Sequence, residues 1–212
     1  MLRSFVGLLM FAYAFTAYSH PVIYKDGFVA SSFNMSSYSD NQLLYTFSPK
    51  WATGLNHWRF TKGKDNTELG LARLNYLLWR KNGEDSQANI YLLSGAGVMD
   101  SEIGKKASRE AYLGGFEADW ETRTLYTALK YYHFTSPAVS DISMTQARVG
   151  ISPFEAPFES LQSWFMVQAM YMPQVQKDVI ITPMLRFFYK SVLWEMGSST
   201  RGEWMLNLMV HY

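Results

Sequence analysis

The sequence predicts an all-β chain of about twelve antiparallel strands, in up-and-down order and closed into a barrel, and three observations predict it. From Phe28 onward, segments of about ten residues alternate apolar with polar side chains and are separated by clusters of Gly, Pro, Asn, Asp and Ser. The last stretch holds the period of two to its final residue, with Trp204, Leu206, Leu208, Val210 and Tyr212 on one face and Met205, Asn207, Met209 and His211 on the other. One face of each strand is apolar while the other collects charges and amides, so the two faces meet different solvents.

Two rules orient the strands: charged and amide side chains mark the interior, and the opposite parity is apolar, aromatic or small. The first strand, about Phe28 to Tyr38, is Ser-rich, with Phe33 and Met35 on one parity. After a short loop at Ser39-Asp40-Asn41, strand two turns Leu43, Tyr45 and Phe47 outward, and Ser48-Pro49-Lys50 is a tight turn. Strand three, Ala52 to Phe60, has His57 and Arg59 on one parity and Trp58 and Phe60 on the other, which places the charged pair inside. Thr61 to Asn66 reads as a longer outer loop. Strand four sets Leu74, Tyr76 and Leu78 outward against Arg73 and Asn75, and Asn82-Gly83 is a hairpin dipeptide. Strand five, Ala88 to Met99, carries Gly95 and Gly97 on one parity, the mark of a bend or a close backbone approach.

Asp100 to Arg109 reads as a charged loop. Strand six then places Tyr112, Gly114, Phe116, Ala118 and Trp120 opposite Glu117 and Asp119, and Glu121-Thr122-Arg123 turns the chain. Strand seven sets Leu125, Leu129 and Tyr131 against Tyr126, Lys130 and Tyr132, with His133 outward near the rim. Strand eight, Ile142 to Ile151, turns Met144, Gln146 and Arg148 inward, and Ser152 to Pro157 is a turn. Strand nine turns Phe165, Val167 and Tyr171 outward and Met166, Gln168, Met170 and Met172 inward. Strand ten places Met184 and Arg186 inside, although its Pro183 lacks the N–H of a central strand. A turn near Tyr189-Lys190-Ser191 is inferred from the even strand number of bacterial barrels. Strand eleven, Val192 to Gly197, has Glu195 inside, and Ser198 to Arg201 leads into the last strand. No stretch is left over for a plug or a second domain.

Arg3 is followed by an apolar run from Phe5 to Ala14 and by Ala17-Tyr18-Ser19, so residues 1–19 read as a secretory signal peptide cut before His20 and residues 20–212 as the barrel. The apolar run is shorter than the ~20 residues of a spanning helix, so a membrane would be entered by strands. The absence of cysteine removes disulfides and thiolate metal sites. A net charge of +1 without a basic block argues against nucleic acid as a partner. The aromatic content of 17% suits Tyr and Trp at two lipid–water boundaries.

A chain with this leader that ends on an outward aromatic resembles the bacterial outer-membrane β-barrel proteins. The resemblance implies an integral barrel of a Gram-negative outer membrane with both termini in the periplasm. Its surroundings would be outer-membrane lipid and lipopolysaccharide, and Trp204, Leu208, Val210 and Tyr212 would form the signal read by the barrel-assembly machinery.

The inward charges are expected to be Arg59, Arg73, Glu117, Asp119, Lys130, Arg148, Arg186 and Glu195. They would either pair across a narrow interior and close it, or line a small porin-like channel for solutes or ions whose positive excess favours anions. No enzyme activity and no cofactor are expected. Two alternatives remain open. Met166, Met170, Met172, Met205, Met209 and His211 share the inward parity and offer soft ligands for copper or silver, although methionine is also an adaptable filler. Cleavage would also leave His20 first in the chain, its amine and ring nitrogen able to chelate copper. The other alternative is a surface lipid hydrolase built on His133, as in twelve-stranded phospholipases and lipid-A deacylases with a serine and histidine on the lipid-facing wall. Here Thr135 stands where their His-x-Ser spacing needs serine.

Overall fold

The computed structural model describes residues 20–102, 107–137, 139–157 and 159–212. Its strands are β1 (Phe28–Met35), β2 (Tyr38–Ser48), β3 (Trp51–Lys62), β4 (Asp65–Asn82), β5 (Ser86–Ser101), β6 (Ala107–Thr122), β7 (Leu125–Ser136), β8 (Val139–Ile151), β9 (Gln162–Met172), β10 (Gln176–Tyr189), β11 (Val192–Ser198) and β12 (Trp204–His211). Each pairs antiparallel with its neighbours in sequence, and β12 closes on β1 with Val29 opposite His211 and Met35 opposite Met205. Closure leaves no sheet edge, whose unpaired backbone groups lipid could not satisfy. Phe28 and Tyr212 exchange backbone hydrogen bonds of 2.9 Å, so the first and last strands meet at one rim, here named the floor. The opposite rim is the roof. The leader expected over residues 1–19 lies outside the described residues.

Parity divides the wall as the alternation requires. On β12, Trp204, Leu206 and Leu208 are exposed outside, while Met205, Asn207 and Met209 are buried inside. Aromatic side chains gather on the outer face toward the floor: Phe28 lies against Tyr45 at 4.7 Å and Trp51 against Tyr76 at 4.4 Å, with Trp79, Trp120, Tyr189 and Tyr212 also exposed. Such a belt suits a lipid–water boundary. Leu208→Arg is accordingly expected to cost about 2–4 kcal/mol in lipid vesicles, the penalty for a cation on the lipid face at mid-depth. Unfolding in urea measures it, and a cost near zero would mean that this wall meets water.

Several boundaries differ from expectation. Thr61 to Asn66 is ladder rather than a longer loop, because Gly63 with φ 65° lets the chain reverse within Gly63-Lys64 and both strands extend to the roof. Ser39, Asp40 and Asn41 lie within β2, and the reversal falls instead at Ser36-Ser37. The charged loop is shorter than Asp100 to Arg109, since β5 runs to Ser101 and β6 begins at Ala107, with residues 103–106 outside the described set. The inferred turn at Lys190-Ser191 is present, with Lys190 at φ 52°. Pro183 pairs with Val167 of β9 and stands where the β11 ladder, which starts at Met184, has ended. Gly97 does mark a close backbone approach, because a Cβ there would collide with the Gly70 carbonyl oxygen.

Candidate functional site

The interior is built in three levels. Nearest the roof, Trp58 meets Tyr132 at 5.1 Å, Phe134 at 4.8 Å, Tyr38 at 5.4 Å and Phe60 at 5.9 Å between ring centres. All five rings are buried. This reverses the expected orientation of β3: Trp58 and Phe60 point in, whereas His57 and Arg59 are exposed on the outer wall. Arg59 faces Glu68 across the β3–β4 ladder, and His57 Nε2 lies 3.8 Å from Glu68 Oε2.

Across the middle runs a polar network. Glu195 receives Arg186 Nε at 2.7 Å, Arg148 Nη1 at 3.2 Å and Asn207 Nδ2 at 2.6 Å. Lys130 Nζ lies 2.9 Å from Glu117 Oε1. Arg73 donates to Asn75 and Asn56, both at 2.9 Å, and to the Tyr132 hydroxyl at 3.3 Å. Asn56 in turn donates to Asp40 at 2.7 Å. Seven of the eight side chains expected inside therefore point inward, Arg59 being the exception. Asp40 and Glu121, which the sequence reading placed in connections, join them as buried carboxylates. Among the described residues the interior thus holds four cations (Arg73, Lys130, Arg148, Arg186) and five carboxylates (Asp40, Glu117, Asp119, Glu121, Glu195). The expected positive excess is absent.

At the floor, residues 20–27 fold into the barrel mouth, contrary to the expectation that nothing remained for a plug. Asn75 Nδ2 donates to the Pro21 carbonyl at 3.0 Å and Ile23 N–H to Thr46 Oγ1 at 3.3 Å, while Val22 is wholly buried. His20 stands between two carboxylates, Nδ1 at 3.4 Å from Asp119 Oδ2 and Nε2 at 3.3 Å from Glu121 Oε1. Burial alone would lower its pKa, but Asp119 and Glu121 together outweigh that and raise it to about 9. Its imidazolium therefore balances the interior charge. Two of the spaces left inside, one against Asp40, Lys130 and Arg148 and one against His20, Arg73 and Glu117, are about 20 Å³ each, roughly the room one water needs.

The methionines do face inward, divided between two apolar clusters. Met166, Met170, Met172 and Met205 are packed in the main apolar cluster, whereas Met209 belongs to a second cluster with Ile23, Val29, Leu44 and Leu193. His211 Nε2 lies 3.1 Å from Met209 Sδ. On the outer wall, His133 Nε2 is 3.5 Å from Asp141 Oδ2, and the ladder sets His133 directly opposite Ser143.

A closed ladder with an apolar, aromatic-belted exterior and a charged interior inverts the polarity of a soluble barrel. The described chain is a closed, twelve-stranded antiparallel β-barrel with the polarity of a transmembrane wall. No protein-family model matches it, and no curated protein matches it. Among solved structures, this barrel is similar to the KdgM porin in complex with disordered oligogalacturonate, with 11% identity over 88% of this chain and 98% of that one and a TM-score of 0.48. It is also similar to OmpT, an outer membrane protein of Vibrio cholerae in trimer form, with 7% identity over 88% and 97% of the two chains and a TM-score of 0.36.

Proposed function

We propose that the barrel is a narrow channel for small solutes or ions, held closed in the state described here by the aromatic cluster at the roof and the His20–Gly27 segment at the floor. The observation that carries this reading is the charged interior. Apolar side chains of similar volume fill a closed interior as well as buried ion pairs do, or better by about 1–4 kcal/mol. A barrel needing only to be filled has no stability reason to keep nine acidic and basic side chains inside. With the His20 imidazolium added to four other cations against five carboxylates, the interior charges balance, which supports weak selectivity rather than the anion preference expected from sequence. The lipid-hydrolase reading keeps the His133–Asp141 contact, but Ser143 Oγ donates to Gln174 Oε1 at 3.3 Å, so the channel is better supported.

Planar-bilayer recording tests it. The wild-type barrel is expected to open rarely, and Val22→Asp, which places a charge on the buried wedge of the floor segment, is expected to raise the open probability at least tenfold. A salt gradient should give a reversal potential near zero, because the interior charges balance. Silence from both proteins, with folding confirmed by heat-modifiable gel mobility, would refute conduction.

A further inference from the structure

The floor holds more than a plug contact. His20, Asp119 and Glu121 bring one ring nitrogen and two carboxylate oxygens within 4.8 Å of one another, and all three side chains are buried. Asp119 Oδ2 and Glu121 Oε1 are buried and each faces a His20 ring nitrogen, at 3.4 and 3.3 Å. The other oxygen of Asp119 is occupied, receiving Asn89 Nδ2 at 2.6 Å, and Asn89 is itself held by Arg80 Nε at 2.6 Å. Asp119 is thus fixed with one oxygen turned toward His20.

We infer that His20 Nδ1 and Asp119 Oδ2 are ligands of a borderline divalent cation of the Zn²⁺ class, with Glu121 accepting the other ring N–H. Two ligand atoms bound tetrahedrally at about 2.0–2.2 Å stand roughly 3.3–3.6 Å apart, and His20 Nδ1 to Asp119 Oδ2 is 3.4 Å. A metal-bound histidine commonly gives its second N–H to a carboxylate, which fixes the ring and raises its basicity. Glu121 Oε1, 3.3 Å from Nε2, takes that place. One imidazole nitrogen with carboxylate oxygen suits zinc or nickel better than calcium or the soft monovalent ions. The expected cut before His20 would add the α-amine as a further nitrogen on the same residue. Binding replaces the proton on Nδ1, which leaves to solvent, and the ion staples the floor segment to β6. The site is independent of whether the barrel conducts.

Isothermal titration of the purified, processed barrel in detergent with ZnCl₂ tests it. The expected result is one ion per chain, with affinity reduced at least tenfold in Asp119→Asn and about 10–100-fold in Glu121→Gln. The exposed Glu155→Gln should leave it unchanged. Folding of each variant is checked by gel mobility. Should Asp119→Asn prevent folding, Glu121→Gln together with loss of zinc binding at His20→Ala decides the matter. A stoichiometry near zero, or equal affinity in the wild type and the folded site variants, would overturn the assignment.

Discussion

Glu195→Ala is expected to lower the unfolding free energy of the barrel by about 3–5 kcal/mol, the cost of leaving buried charge without its partner. Glu195 is fully buried, and its carboxylate holds Arg186, Arg148 and Asn207 at once. Removing it strands two guanidinium groups, since Arg148 keeps only Gln168 at 2.9 Å and Arg186 the face of Tyr126 at 4.4 Å. Neither supplies a negative charge. Glu195→Gln keeps the shape and one acceptor oxygen but not the charge, so it should recover only a small part of the loss. Exchanging Arg148, Arg186 and Glu195 together for methionine should come close to neutral, because no unpaired charge then remains. Urea unfolding in lipid vesicles, followed by tryptophan fluorescence, measures all three. A loss below about 1 kcal/mol in Glu195→Ala is the size of a solvated surface pair, and would mean that water reaches this level of the bore.

Strand order and most facings were legible because a period of two is a property of each strand alone, needing no knowledge of its partners. β3 faces opposite to its charge pattern, because two rules conflict there. His57 and Arg59 argued for one parity, yet Asn56 shares the parity of Trp58 and Phe60, and Leu55, the most exposed of the neighbouring apolar residues at 66%, shares that of His57. Continuing the outward series Trp51, Thr53, Leu55 would have settled the facing. The charge rule fails toward the roof, where an outward Arg59 meets Glu68 across the ladder instead of hydrocarbon. Asp40 and Glu121 were hidden by their neighbours: Ser39, Asn41 and Arg123 suggest turns, and only the pairing partners show that the ladder extends through both positions. The floor segment carries no period at all. Its contacts join His20 to Asp119 and Pro21 to Asn75, positions far apart in the chain that closure of the barrel brings together. Parity likewise found the inward methionines but not whether they meet, which depends on how many strands lie between β9 and β12.

Trp58→Ala is expected to cost about 3–5 kcal/mol, the range for truncating a buried aromatic side chain to alanine, and to widen the roof constriction. The ring is fully buried and meets Tyr132, Phe134 and Tyr38 edge-on, at 77°, 63° and 62°, the geometry in which aromatic pairs add to simple area burial. Its Nε1–H, however, is buried without a hydrogen bond, and an unsatisfied buried donor carries a penalty of about 1–3 kcal/mol. Trp58→Phe removes that donor while keeping a ring, so its loss should be at least 2 kcal/mol smaller than that of Trp58→Ala. This contrast separates packing from polarity in one pair of variants. Conduction adds a second reading of the same site. If the aromatic cluster is the upper gate, Trp58→Ala combined with Val22→Asp should pass more current than Val22→Asp alone, because roof and floor obstruct in series. Equal currents would assign Trp58 to the core only and move the gate to the level of Glu195, where the ion pairs themselves would have to part.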